Sequence, residues 1–234
     1  MSEFPVIADS VVDSRRQSAE AWAATSLGVE KVELEVVSGD ASFRRYFRIR
    51  SGDESLILMD APPDKEDSAP FVDIAGRLRS AGLNAPEIRQ FDLQRGFGLL
   101  SDFGDTLYRE LITEDSIYDL ITGLIDNLAG MASSVDRAGL TDYYDELLQT
   151  VLILFTDWYL ARHKQRPLSR ADKACWTGLC ERLIASARSQ PQVFVHRDFH
   201  SCNLLQTSDG PGIIDFQDAV RGPLSSDFVS LAWD

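Results

Sequence analysis

The sequence predicts an α+β protein of two lobes: a small five-stranded antiparallel lobe over residues 1–103 and a largely helical lobe over residues 104–234. Three observations carry this expectation. Short alternating apolar segments, punctuated by turn residues, fill the N-terminal part. From Ile117 onward apolar residues recur at spacings of three and four instead. Between the two regimes, near Asp102–Asp105, the composition shifts.

In chain order, Ser14 to Ala24 has the pattern of a short amphipathic helix. Val32, Leu34 and Val36 then alternate with charged residues, Gly39, Asp40, Ala41 and Ser42 supply turn chemistry, and Phe43, Tyr46, Phe47 and Ile49 resume an extended pattern. This is a hairpin with a small-residue tip. A third strand, Leu56–Met59, follows the turn Ser51-Gly52-Asp53, and APPDKEDSAP is a loop by composition. Phe71 to Arg79 reads as a helix with Phe71, Ile74, Ala75 and Leu78 on one face and Gly82 near its stop. Glu87–Leu93 and Gly98–Leu100, separated by Arg95-Gly96, complete the five strands.

The helical lobe opens with Ile117, Leu120, Ile121, Leu124, Ile125 and Leu128, a stripe expected to be buried. Leu147, Leu148, Val151, Leu152, Phe155 and Tyr159 mark a second long helix. Trp176, Leu179, Cys180, Leu183 and Ile184 mark a third, with Ser169 and Asp172 as its capping box.

Composition narrows the function. At 234 residues, 44% hydrophobic and 26% charged, the chain is that of an ordinary soluble globular protein. Its net charge of −14 argues against nucleic acid and against an anionic membrane surface, since both are held through Lys and Arg. The start MSEFPVIADS lacks a charged region followed by an apolar core, so no secretory signal is expected, and Val151–Phe155 is too short to cross a bilayer. Cys175, Cys180 and Cys202 form no paired framework, which fits a reduced cytoplasmic setting.

The chemistry lies in Val193–Phe216. The apolar run Val193, Phe194 and Val195 delivers His196, Arg197 and Asp198. Asn203 comes five residues after Asp198, and a second apolar run ends in Asp215, twelve residues after Asn203. Two strands thus present a carboxylate and two further oxygen donors from neighbouring loops. Phosphoryl transfer needs such a set: Asp198 to accept or orient a hydroxyl proton, Asn203 and Asp215 to hold Mg²⁺ on nucleotide phosphates. The competing pattern, His196, Asp198 and His200 as an H-x-D-x-H hydrolase metal centre, needs further ligands, and the only other histidine, His163, falls on a helix beside Arg162 and Lys164. His196 itself reads as structural.

HRDFHSCN followed by IIDF resembles the catalytic and metal-binding loops of the aminoglycoside phosphotransferase and choline kinase group of small-molecule kinases. The resemblance spans most of the chain and implies a protein-kinase-like two-lobe fold, ATP and Mg²⁺. More narrowly, SGDASFRRYFRI, LILMDAPPDKED, GFGLLSDFGD and HRDFHSCNLL resemble the bacterial anomeric sugar kinases of cell-wall recycling. That likeness implies a sugar acceptor, N-acetylmuramate or N-acetylglucosamine, phosphorylated at its C1 hydroxyl. An aminoglycoside or an amino alcohol such as choline is the alternative acceptor, and an inactive nucleotide-binding regulatory module the alternative from another class.

Several positions depart from protein kinases. Gln217 replaces the glycine of D-F-G, and no room for an activation segment lies between Asp215 and Asp227, so the substrate is expected to be small. Ala85-Pro86-Glu87 spells A-P-E ahead of the catalytic loop, a chance match. Gly96-Phe97-Gly98 lacks a third glycine and reads as a strand turn, which leaves Gly39, Asp40, Ala41 and Ser42 as the phosphate cover. Met59 stands where the third strand would end in lysine, so Arg44, or less directly Lys65, is expected to supply the charge, unless Arg44, Arg45 and Arg48 form a solvated face. The resemblance further implies that backbone groups of Leu100, Ser101 and Asp102 meet the adenine edge, and that Asp227, with Gly222 and Pro223, braces the catalytic loop. Arg197 reads as a second bracing residue and Cys202 as filler. The final FVSLAWD looks like the opening of a helix, and related kinases continue with helices that shape the acceptor pocket. The chain is therefore expected to be a short version or part of a longer protein.

Overall fold

The computed structural model describes residues 13–39, 43–52, 54–143 and 146–234. The chain forms two compact units, the first of residues up to Ala69 together with Glu87–Asp102, the second of Pro70–Pro86 together with Phe103–Asp234. It is a mixed α+β fold with the expected five-stranded antiparallel sheet.

In the first unit, helix α1 (Ser14–Leu27) starts at Asp13, whose carboxylate accepts the Arg16 amide at 2.9 Å, and stops at Gly28 in the left-handed region. Strands β1 (Glu35–Gly39), β2 (Arg45–Ser51), β3 (Glu54–Asp60), β4 (Ile88–Asp92) and β5 (Phe97–Ser101) pair in the order β1-β2-β3-β5-β4. The helix lays Trp22 and Ala23 on Phe47, Ile49, Leu58, Phe97 and Leu99, which form the core of this unit. The hairpin tip at Asp40, Ala41 and Ser42 lies outside the described residues. β1 begins later than the alternation suggests, because Val32 and Leu34 pack on the α1 cluster rather than extending a strand. Phe43 stands outside β2 and is exposed.

Arg44, just before β2, and Arg45 and Arg48 within it do not form a solvated face. Arg44 and Arg48 are each only 7% exposed. Arg45 reaches the fully buried Asp60 through Nη2 at 2.6 Å, and Arg15 of α1 reaches the same carboxylate at 2.6 Å. A buried carboxylate is tolerated only when paired in this way. Gly96 has a chemical reason too: its φ is +71°, and a Cβ there would stand 1.8 Å from the Ala61 carbonyl oxygen.

The second unit contains α2 (Ala69–Ser80), the one-turn helix α3 (Tyr108–Leu111), α4 (Ile117–Ser134), α5 (Glu146–Leu154), α6 (Arg170–Ser189) and α7 (Ser225–Ala232). Helix α2 buries the residues its pattern marks, Phe71, Ile74, Ala75 and Leu78. Although flanked in sequence by strands, residues 70–86 group with the helices, because Phe71 stacks on Phe216 at a centroid distance of 5.0 Å. The Ser169–Asp172 capping box of α6 is formed, each side chain bonded to the other residue's backbone amide.

The helical stripes differ from expectation. On α4 only Leu124 and Met131 are buried, while Ile117 and Ile125 are 38% and 41% exposed. Among the described residues, neither α5 nor α6 buries a side chain. Periodicity shows which face of a helix is apolar; it does not show that the chain's own elements cover that face. The second long helix also changes period, running as a π-helix over Phe155–His163 with the Lys164 amide bonded to the Tyr159 carbonyl at 2.8 Å. Among the described residues no helix is long and apolar enough to cross a membrane.

Two short ladders complete the second unit: β6 (Gln192–Val195) with β9 (Val220–Pro223), and β7 (Leu204–Thr207) with β8 (Gly210–Ile213). Phe194, Val195, Phe199, Leu204, Ile213 and Phe216 are all buried around them. Their loops carry the chemistry.

Candidate active site

β6 is a run of β-formers that ends where its side chains turn polar, so it projects His196, Arg197 and Asp198 from a buried ladder. His196 is 0% exposed. Its Nε2 lies 3.0 Å from the Ile214 carbonyl and its Nδ1 3.3 Å from the Asp198 amide. One neutral tautomer serves both, with Nε2–H donating and Nδ1 accepting. Burial holds the imidazole pKa down at about 4, which keeps that tautomer neutral. A ring with both nitrogens spent on the fold is not a metal ligand, so the H-x-D-x-H hydrolase centre is excluded and His196 is structural.

Asp227 of α7 holds the loop from behind. Its carboxylate accepts the His196 amide at 2.7 Å and the Arg197 amide at 2.9 Å. Burial, outweighing these two bonds, lifts its pKa to about 6. This is the bracing role expected of it. Arg197 also braces: its φ is +83°, its guanidinium reaches the Asp218 carbonyl at 3.4 Å, and it lies over the Tyr143 ring at 5.9 Å.

The loop then closes on itself. Asn203 donates its side-chain amide to the Asp198 carbonyl at 3.0 Å, and its backbone amide bonds to the His200 carbonyl at 2.9 Å. With its nitrogen spent on Asp198, the amide oxygen of Asn203 is the atom left to ligate. The second loop is tied to the first because the Ile214 amide bonds to the Asn203 carbonyl at 3.1 Å, immediately before Asp215. Asp215 has φ +62°, a left-handed conformation that a non-glycine residue keeps only when its surroundings impose it. Gln217 donates to Asp215 Oδ1 at 2.8 Å, leaving Oδ2 available. Asp198, Asn203 and Asp215 are thus assembled by one continuous set of hydrogen bonds within the second unit. Their oxygens suit a hard divalent cation.

The residues expected to meet the nucleotide belong to the first unit. Gly39 closes β1. Arg44 pairs with Glu66 at 3.2 Å, and Met59, fully buried in β3, offers no charge. Leu100 is buried, and the Ser101 amide is bonded to the Glu87 carbonyl at 2.9 Å. The Asp102 carboxylate takes a two-point contact from Arg48, at 2.6 and 3.1 Å, and the Ser55 hydroxyl at 2.5 Å.

Sequence reasoning missed two features. Gln217 stood out only as a missing glycine, and its hold on Asp215 had no signal beyond the two-residue spacing. Cys202, taken as filler, sits with His200 and Asp234 in a compact group.

The model of the phosphotransferase enzyme family (APH) matches residues 33–234. An N-acetylmuramate/N-acetylglucosamine kinase of Pseudomonas aeruginosa is 45% identical over 217 residues, covering 92% of this chain and 63% of that protein. The chain therefore spans less than two thirds of that relative's length. Among solved structures, the choline kinase LicA from Streptococcus pneumoniae superposes with a TM-score of 0.64 at 13% identity, covering 92% of this chain and 73% of that one. A thermostable mutant of the aminoglycoside phosphotransferase APH(4)-Ia, in a ternary complex with ADP and hygromycin B, gives 0.61 at 16% identity, covering 91% of this chain and 75% of that one. At such identities the likeness concerns the fold.

Proposed function

The chain belongs to the phosphotransferase enzyme family, and on that premise we propose that it transfers the γ-phosphoryl group of ATP, with Mg²⁺, to the anomeric hydroxyl of an amino sugar such as N-acetylmuramate or N-acetylglucosamine. The observation that carries the chemistry is the bond from the Ile214 amide to the Asn203 carbonyl, which ties the Asp215 loop to the loop holding Asp198. The acceptor is supported by the name of the 45% identical relative.

In this reading Asp198 takes the proton of the acceptor hydroxyl as its oxygen attacks the γ-phosphorus. The bond from that phosphorus to the bridging oxygen breaks, ADP leaves, and the proton passes from Asp198 to solvent. No phospho-enzyme is needed. The Asn203 amide oxygen and the Asp215 carboxylate would hold Mg²⁺, which when bound offsets the negative charge of the phosphates. Gly39, Asp40, Ala41 and Ser42 would cover the phosphates and Arg44 would supply positive charge. Because the Ser101 amide and the Asp102 carboxylate are already engaged, adenine contacts from Leu100–Asp102 fall to the remaining backbone groups of that segment. The reaction would take place in the cytoplasm, where ATP is supplied.

The test is ATP consumption over a panel of N-acetylmuramate, N-acetylglucosamine, aminoglycosides and choline, with Asp198→Ala as control. Turnover with the amino sugars, lost in that variant, is the expected result. A response to choline or aminoglycosides alone would overturn the acceptor. Nucleotide binding without turnover on any acceptor would instead favour a regulatory module, the reading that the buried Met59 motivates.

A further inference from the structure

Around the turn Ser201–Asn203 a ring nitrogen of His200, the Cys202 sulfur and a carboxylate oxygen of Asp234 all lie within 4.8 Å of one another. None of the three is used by the phosphoryl chemistry. The group is held by the fold, since Asp234 Oδ2 accepts the Ser201 amide at 2.6 Å. His200 Nδ1 is shielded from water and has no hydrogen-bond partner in the protein, so the ring carries unmet capacity. The geometry points to a second metal site here, for a borderline-soft cation of the Zn²⁺ type, distinct from the Mg²⁺ ligands.

The donor set decides the ion. Imidazole and thiolate select Zn²⁺ over Mg²⁺, and three protein ligands with a fourth position open to water make a familiar zinc arrangement. Zinc bonds of about 2.0–2.3 Å set tetrahedral ligand atoms roughly 3.3–3.8 Å apart, so the group must contract by about 1 Å. Cys202 releases its thiol proton to solvent on binding. Two neighbours must adjust: Arg109, exposed on α3, has Nη1 3.7 Å from the sulfur and swings outward, and the Asn203 side-chain nitrogen lies 3.4 Å from His200 Nε2. That second contact gives the site a consequence, resting on the function proposed above. Drawing His200 and Cys202 onto a metal displaces Asn203 in the same turn, so Zn²⁺ is an inhibitor that excess Mg²⁺ does not relieve.

Cobalt titration of the chain in excess Mg²⁺ tests the site independently of any acceptor. The expected result is one equivalent of tetrahedral Co²⁺ with a thiolate charge-transfer band, displaced by Zn²⁺. Affinity should fall at least tenfold in Cys202→Ser and in Asp234→Asn and stay unchanged in Asp215→Asn, with circular dichroism confirming that each variant is folded. A charge-transfer band that survives in Cys202→Ser, or no binding in the wild-type chain, overturns the site. With a responsive acceptor, stoichiometric Zn²⁺ should lower turnover of the wild-type chain but not of Cys202→Ser. Equal turnover with and without bound Zn²⁺ overturns the coupling to Asn203.

Discussion

The side-chain amide of Gln217 donates to Asp215 Oδ1 at 2.8 Å, where protein kinases have a glycine that could make no such bond. Asp215 sits at a left-handed φ of +62°, so this amide restrains a residue that is conformationally costly to hold. Gln217→Ala should raise the Mg²⁺ concentration for half-maximal rate and lower turnover at fixed Mg²⁺ by about tenfold, the equivalent of one charge-assisted hydrogen bond of about 1.5 kcal/mol. Initial rates across a Mg²⁺ series check this; an unchanged Mg²⁺ dependence would remove Gln217 from the site.

The first loop gives a sharper separation. If Asp198 handles the hydroxyl proton, Asp198→Asn keeps the loop, since Asn203 is held by the Asp198 backbone carbonyl and not by its carboxylate. Turnover should fall by about 10²–10⁴, the range of general-base contributions, with nucleotide affinity within about twofold of wild type. Calorimetric nucleotide binding beside steady-state rates separates the two effects. Lost binding together with lost turnover would assign Asp198 to positioning.

Legibility followed the range of the interactions. The α2 stripe, the turn at Gly96 and the capping box of α6 are written over a few residues, and all three formed where the pattern put them. The order Asp198, Asn203, Asp215 was legible because Asp198 and Asp215 each follow a short apolar strand and Asn203 shares the loop of Asp198. What stayed hidden depends on partners distant in sequence. Phe71 seeks Phe216, Arg48 meets Asp102 and Ser55, and nothing local in α4 says that only Leu124 and Met131 find cover. The π-helix at Phe155–His163 was invisible for another reason: its apolar residues fit either period until the backbone bonds are seen.

The Arg48–Asp102 pair bears on stability. Both side chains are under a tenth exposed, so removing one leaves a buried charge without its main partner. Asp102→Ala should cost about 3–5 kcal/mol of unfolding free energy, while replacing both residues by apolar ones of similar size should cost much less. Urea denaturation of the single and double variants measures the difference. Equal losses would mean that the pair contributes no more than packing.

The brace behind the catalytic loop sets a pH signature. His196 has a folded pKa of about 4 against 6.5 unfolded, so its contribution to stability is fully present above 6.5 and lost as pH falls toward 4. Asp227 runs the other way: with a folded pKa of about 6 against 3.8, its contribution is present below 3.8 and lost as pH rises through 6. Each shift corresponds to about 3 kcal/mol, so in the wild-type chain the two nearly cancel across this window. Asp227→Asn removes one side of the balance while keeping the side-chain volume. Relative to wild type, the variant should then lose about 3 kcal/mol more stability as pH falls from about 6.5 to 4, because the His196 linkage stands alone. Denaturation midpoints for both proteins over that range decide it. Parallel curves would show that His196 and Asp227 do not titrate against each other, and that the brace is held by the two amide bonds without a charge balance.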